Sequence, residues 1–280
     1  MRLTITAVIS AMLMLCGSLF AHAAAVGFPK NLIYKGGPVL SGEVKAYFIF
    51  YGTWKDEHKD LLMDFIDNLG FTSWFNTLRL YTDSLGNSVT GPLKFTAAMN
   101  DLKSHGDSLQ GNSSHVDIIT KAVETGYLGN GIDHSGVYFI LAGEDVDDVG
   151  LCTDWCAYNS YTDDFVDPSK NRCIPYLNNQ VSPNGDPALD AIVGMIAHEL
   201  PEMLTDPLGN GWQVSNEAPN SRYTEEIADW CMPPNATPDE WFPNVTKLEN
   251  GASWNLQVGS AKWLIQSMWN PVTNQCTMAS

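Results

Sequence analysis

"VKAYFIFYGTWKDEHKDLLMDFIDNLG", residues 44–70, decides the fold class. Residues 44–52 are almost wholly apolar or aromatic and end in Gly52, the pattern of a strand buried on both faces. The period then changes. Leu61, Leu62, Phe65, Ile66 and Leu69 fall on one face of a helix, and Gly70 stops it. A buried strand followed by an amphipathic helix opens an α/β fold.

The same alternation continues outward. "TSWFNTLRLY" (72–81) reads as a second helix capped by Thr72 or Ser73, and "HVDIITKAVETG" (115–126) as a third closed by Gly126. "SGVYFILAG" (135–143) is another short apolar strand. "SPNGDPALDAIVGMIAHEL" (182–200) starts a long helix, with Asp186 as cap and Pro187 at its first position. After Pro207 the chain is rich in turns and hairpin-like segments. The expectation is one α/β (α+β) domain over residues 24–280, a mixed sheet with packed helices and a loop-rich, disulfide-tied C-terminal part.

Residues 1–23 stand apart. Arg2 is followed by the apolar run "LTITAVISAMLMLCGSLF", and Ala21-His22-Ala23 forms an A-x-A cleavage site. This is the layout of a secretory signal peptide, with an uncleaved membrane anchor as the rival reading. The chain is 44% hydrophobic and 17% charged, a globular composition, and its 32 acids against 15 bases give a formal net charge of −17. Such a charge opposes nucleic-acid and anionic-membrane binding, which need basic faces. Of six cysteines, Cys16 lies in the leader. Cys152, Cys156, Cys173, Cys231 and Cys276 remain, and export favours disulfides. Cys231 with Cys276 is the expected bridge, since it would hold a closing segment that otherwise frays, and two of Cys152, Cys156 and Cys173 are expected to pair, with one thiol left over. Asn112, Asn235 and Asn244 begin N-x-S/T sequons, acceptors for glycan in a eukaryotic host.

The chemistry concentrates in "AHELPEMLTDP", 197–207. It resembles the H-E-x-x-H zinc signature with Glu202 in place of the second His. At about 100° per residue, His198, Glu202 and Asp206 fall at about 0°, 40° and 80°, and Glu199 lies on the flank. Imidazole with carboxylates suits zinc or another divalent ion. "EEIADWC" (225–231) supplies a second acidic cluster, in which Glu226 and Asp229 are spaced to face one way. Pro201 complicates this. Inside a helix it removes a hydrogen bond and costs roughly 3 kcal/mol, so a helix restarting at Pro201 is the alternative, and it would detach His198 from Glu202. The bland reading of all these residues is a solvated acidic helix, with Asp206 capping the turn at Pro207. The two His of "HGDSLQGNSSH" (105–115) read as surface loop residues rather than ligands. "CTDWC" (152–156) reads as a structural disulfide. Trp155, Trp212, Trp230, Trp241 and Trp254 read as core and loop staples, with sugar stacking as the rival.

Several collinear stretches resemble the exordium family, also called phosphate-induced or phosphate-responsive proteins. They are "LIYKGGPVLSGEVKAYFIFYG", "VYFILAGEDVDDVGLC", "SPNGDPALDAIVGMIAHELPEMLTDPLGNGW" and "KWLIQSMWNPVTNQC". The resemblance implies secretion to an extracellular or cell-wall setting and a link to growth and nutrient response. At His198, Glu199, Glu202 and Asp206 the chain departs from the plant pattern, which generally lacks these acidic residues, and is similar instead to microbial secreted zincin-like members.

Two functions follow from the residues. In the first, a metallohydrolase acting on peptides, His198 and Glu202 hold zinc, Asp206, Glu226 or Asp229 completes the shell, and Glu199 is the general base toward water activated by the ion. In the second, the protein is a non-catalytic extracellular binder of another protein or of wall polysaccharide, and any ion is structural. In both, nucleic acid is excluded, and so is the membrane once the leader is cleaved. The arrangement at residues 1–23 predicts an exported form beginning at Ala24 or within a residue or two of it. N-terminal sequencing that returned Met1 would overturn that reading.

Overall fold

The computed structural model describes residues 6–9, 32–149, 158–161, 181–214, 226–232 and 241–279. Its centre is a five-stranded sheet. In chain order the elements around it are β1 (Thr6–Ile9), β2 (Val44–Tyr51), α1 (Asp56–Leu69), α2 (Ser73–Asn76), β3 (Leu93–Asp101), α3 (Asn112–Glu124), β4 (Val137–Ala142), β5 (Tyr158–Tyr161) and α4 (Pro187–Thr205). The strand order is β3-β2-β4-β1-β5. Strands β3, β2, β4 and β1 pair in parallel, and β5 closes one edge antiparallel to β1. The sheet is mixed, as expected. Strand β1 lies within the segment read as a leader, whereas the cleavage residues Ala21-His22-Ala23 lie outside the described residues.

Period-two alternation in β2 and β4 builds two cores. Ala46, Phe48, Phe50, Phe139 and Leu141 pack on one face with Leu62, Phe65, Ile66 and Leu69 of α1 and with α4. Tyr47, Ile49, Tyr51, Tyr138 and Ile140 pack on the other with Ile118, Ile119 and Ala122 of α3. This explains why 44–51 reads as a continuous apolar run, since neither face of a central parallel strand meets water. From β2 the chain crosses to β3 on the α1 side, and from β3 it returns past β2 to β4 on the α3 side. The two crossovers run in opposite directions, so a common handedness requires helices on opposite faces, which is where α1 and α3 lie.

Three local expectations change. The helix expected over 72–81 ends at Asn76, with Thr72 as its cap, and a 3-10 turn follows at Leu78–Leu80. Strand β3 alternates between buried and exposed positions as an edge strand, a signal too weak to stand out in the sequence. His115 is not a surface residue: it sits in α3, fully buried, with Nε2 2.7 Å from Asp148 Oδ2. Burial of the pair removes it from water, and each partner supplies the other's hydrogen bond. His105 does lie near the surface, 2.6 Å from Asp117.

At the carboxyl ends of β2 and β4 a cleft of about 280 Å³ is lined in part by Trp54, Lys55, His58, Glu144, Asp186 and Ile192. Asp186 caps α4 through Ala188 N and lies 3.6 Å from Lys55 Nζ and 3.5 Å from His58 Nε2, so it ties the starts of α1 and α4 together.

The C-terminal part is a set of small hairpins, Thr246–Lys247 with Ser253–Trp254, Leu256–Val258 with Ala261–Trp263, and Met268–Asn270 with Gln275–Thr277. The strand Leu32–Tyr34 pairs with Trp212–Val214. There the "KGGP" and "GNGW" segments meet, with Gly37 N donating to Asn210 O at 2.7 Å. A Cβ on Gly37 would lie 2.6 Å from that same carbonyl oxygen, so the contact requires glycine. The Trp residues act as staples: Trp241 is buried, Trp212 packs against Tyr34 and Tyr81, and Trp230 meets Trp269 edge-on. Trp155 and Cys152, Cys156 and Cys173 lie outside the described residues. Among the described residues no helix is long and apolar enough to cross a membrane.

Cys231 and Cys276 form a disulfide across 45 residues of sequence, with Cα atoms 5.6 Å apart. It ties the last hairpin to the 3-10 turn at Asp229–Cys231. The chain-entropy model assigns a loop of this size about 4 kcal/mol. The double substitution Cys231→Ser, Cys276→Ser is expected to lower unfolding free energy by about that amount in a denaturant titration. An unchanged midpoint would show that the bridge contributes nothing.

Candidate metal centre

Helix α4 begins at a strong signal. Asp186 accepts from Ala188 N and Leu189 N, and Pro187 occupies the first position. It then runs without a break through Pro201 to Thr205. The restart at Pro201 is therefore not what the structure adopts, and His198 and Glu202 stay one turn apart on the same helix. Leu189, Val193, Ile196, Ala197, Leu200, Met203 and Leu204 face the core, and packing of that stripe offsets the cost of the proline.

Three side chains of α4 bring ligand atoms together. His198, Glu199 and Glu202 each offer one such atom, all within 4.8 Å of one another. Glu199 is 4% exposed and Glu202 2%. His198 Nε2 lies 3.8 Å from Glu202 Oε1 and 3.3 Å from Asp229 Oδ1. Asp229 reaches the helix from the 3-10 turn, and its backbone N–H donates to Glu202 Oε1 at 3.2 Å. Glu226 stands at the start of that turn, its N–H donating to Asp229 Oδ2 at 3.2 Å. The second acidic cluster thus closes over the first.

Asp206 is not among these three ligand atoms, but its carboxyl is hydrogen-bonded to the side chain of Glu226. The helix ends at Thr205, and Asp206 leaves it with φ −141° and ψ 53°. Its carboxylate accepts from Gly211 N and from Gln213 Nε2, both at 2.5 Å, which closes the turn of "TDPLGNG". The turn-closing role is present, and the contact with Glu226 keeps Asp206 beside the second acidic cluster as well.

One residue at the centre has no sequence signal. Gln266, 2% exposed, meets His198 Nδ1 with Oε1 at 2.9 Å and donates from Nε2 to Ala228 O at 3.0 Å. It is 68 residues from His198, and no spacing rule connects them.

The electrostatics follow from four carboxyl groups around one imidazole. Burial alone would lower the His198 pKa, but the charge of Glu202, the hydrogen bond to Asp229 and the charge of Glu199 outweigh it and hold the value well above the ordinary one. Glu202 is also pushed well up, by burial first and then by the charge of Asp229, with His198 opposing and Glu226 and Glu199 adding to the rise. Asp229 is held low: burial acts against this, but the His198 hydrogen bond and charge prevail. The cluster as a whole therefore retains protons. A divalent cation fits the donor set, because it neutralises the same mutual repulsion that the retained protons now relieve.

A family model described as the phosphate-induced protein 1 conserved region matches residues 32–179 and 165–279. The Arabidopsis thaliana protein EXORDIUM-like 3 is 29% identical over 282 residues, covering 88% of this chain and 82% of that protein. The Nicotiana tabacum protein PHOSPHATE-INDUCED 1 is 23% identical over 310 residues, covering 94% of each. Protein EXORDIUM of Arabidopsis thaliana is 23% identical, covering 88% of each. No solved structure matches the chain.

The raised values of His198 and Glu202 have a consequence for stability. Both groups bind protons more tightly folded than unfolded, so their contribution is complete below the unfolded values and is lost as pH rises through the folded ones. The melting temperature of chelator-treated protein is expected to fall as pH is raised above about 6.5, the unfolded His value. Glu202→Gln, which removes the buried acid, should flatten that fall. A profile that is level or rising in the parent protein would contradict the assignment.

Proposed function

The chain belongs to the phosphate-induced protein 1 family, and from that membership and the cluster on α4 we propose an exported protein with a divalent-cation site that serves hydrolysis. The observation that carries this reading is the convergence of His198, Glu202 and Asp229, from two separate elements, within 3.8 Å of the His198 Nε2 atom. One imidazole and two or three carboxylates form a donor set suited to zinc. Bound there, the ion would supply Lewis acidity toward a substrate carbonyl and toward water. His198 and Glu202 would bind it from α4, and Asp229 from the turn. Glu199, adjacent to His198 and buried against the same group, would take the proton from attacking water. The arrangement on one helix supports a zincin-like reading, with a peptide as substrate. Export is supported by the leader-like residues 1–23 and by the excess of acids over bases.

A second reading has its own observation. Glu199 lies within ligand distance of His198 and Glu202 rather than behind them. A shell closed by four protein ligands is structural rather than catalytic. The protein would then be a non-catalytic extracellular binder, of another protein or of wall polysaccharide, with the ion tying the 226–231 turn to α4.

Metal analysis of purified protein, followed by zinc titration and a protease assay, separates these readings. About one zinc per chain is expected, lost in His198→Ala together with the rise in melting temperature that the ion confers by mass action. Under the hydrolase reading, Glu199→Gln keeps the zinc and loses activity by roughly a hundredfold or more. A Glu199→Gln variant that loses zinc affinity, in a parent with no protease activity, would assign the structural role instead. A purified parent with no metal and no response to added zinc would overturn both.

A further inference from the structure

Gln266 decides which nitrogen of His198 faces the acidic cluster. Its carboxamide is buried and its two ends have different partners: one end meets Ala228 O at 3.0 Å, the other His198 Nδ1 at 2.9 Å. A peptide carbonyl can only accept a hydrogen bond, so the amino end must face Ala228. The end that faces His198 is therefore the amide oxygen, and this too can only accept. It follows that Nδ1 carries a proton and donates it to Gln266, whichever way the amide might otherwise have been drawn. Nε2 faces the space shared by Asp229 Oδ1 at 3.3 Å and Glu202 Oε1 at 3.8 Å, where its own proton can be exchanged for a cation.

We propose that Gln266 is the positioning residue of the centre, its amide assigning the Nδ1–H tautomer to His198 so that Nε2 is the ligand atom. Its value for the cation rests on the reading given under the proposed function, but the Nδ1–H donation to Gln266 does not. Anchorage to Ala228 also matters, because Ala228 directly precedes Asp229. A single side chain then sets both the rotation of the imidazole on α4 and the placement of the turn that brings Asp229 to it. Metal-binding His residues generally have such a partner on the second ring nitrogen, and loss of that partner costs about ten- to a hundredfold in affinity.

Two measurements test this. The first is the ¹⁵N shift pattern of the His198 ring in chelator-treated and in zinc-loaded protein. Nδ1 is expected to stay protonated in both, with Nε2 losing its proton only when zinc is present, and Gln266→Leu is expected to lose that fixed pattern. An Nδ1 without its proton in either sample of the parent would overturn the proposal whether or not the protein binds zinc. The second is zinc affinity in Gln266→Leu and Gln266→Glu, with circular dichroism to show that each is folded. Leu removes both hydrogen bonds and is expected to weaken zinc about ten- to a hundredfold. Glu keeps an acceptor for Nδ1–H but loses the donor to Ala228, so it should recover most of that affinity. Equal damage in the two variants would mean that Gln266 acts only by holding Ala228, and would overturn the positioning role. A parent that binds no zinc yet shows protonated Nδ1 would remove the cation reading and leave the donation to Gln266 standing.

Discussion

Glu202 is a carboxyl group withdrawn from water near the end of a helix that is mostly core. An ionised carboxylate in that position costs several kcal/mol unless it is paired. His198, one turn earlier, supplies a compensating charge, and the Asp229 backbone N–H supplies a hydrogen bond. The C-terminal part can be understood as the apparatus that keeps this arrangement in place. The Cys231–Cys276 bridge holds the end of the 3-10 turn, Gln266 holds its start through Ala228, and Trp269 N donates to Ile227 O beside it.

Helix α4 connects that apparatus to the sheet. Its apolar stripe packs on the same face as α1, so the acidic residues stand on a rigid element rather than on a loop, which favours precise placement of ligand atoms. The helix also separates two regions. Its first turn borders the cleft at the carboxyl ends of β2 and β4, whereas His198 lies ten residues further on, about 15 Å along the axis. In the cleft, Asp186 pairs with Lys55 and His58 between helix starts. At the centre, several acids surround one imidazole.

Much of this was legible in the chain. The run 44–51 announced a strand buried on both faces, and Leu62, Phe65, Ile66 and Leu69 announced the helix that covers one of them. Asp186 and Pro187 marked the start of α4 correctly, since capping is decided by neighbours in sequence. The pairing of His198 with Glu202 was legible for the same reason. Edge strand β3 was not, because half-buried alternation with small residues carries little signal. His115 was misread because burial is a property of the packed layers, and Asp148, which makes its burial tolerable, is 33 residues away.

The sequence by itself determined many of the elements and the local chemistry: the strand at 44–51, the helix that follows it, where α4 starts, and that His198 and Glu202 stand one turn apart. Those are short-range matters of period, capping and residue type. Only the tertiary structure decided that α4 continues through Pro201, that Asp206 closes a turn while meeting Glu226, that Asp229 comes to His198, and that Gln266 meets the ring. Each of these depends on groups far apart in the chain competing for the same hydrogen bonds and the same buried space, and that competition is resolved only when the chain is packed.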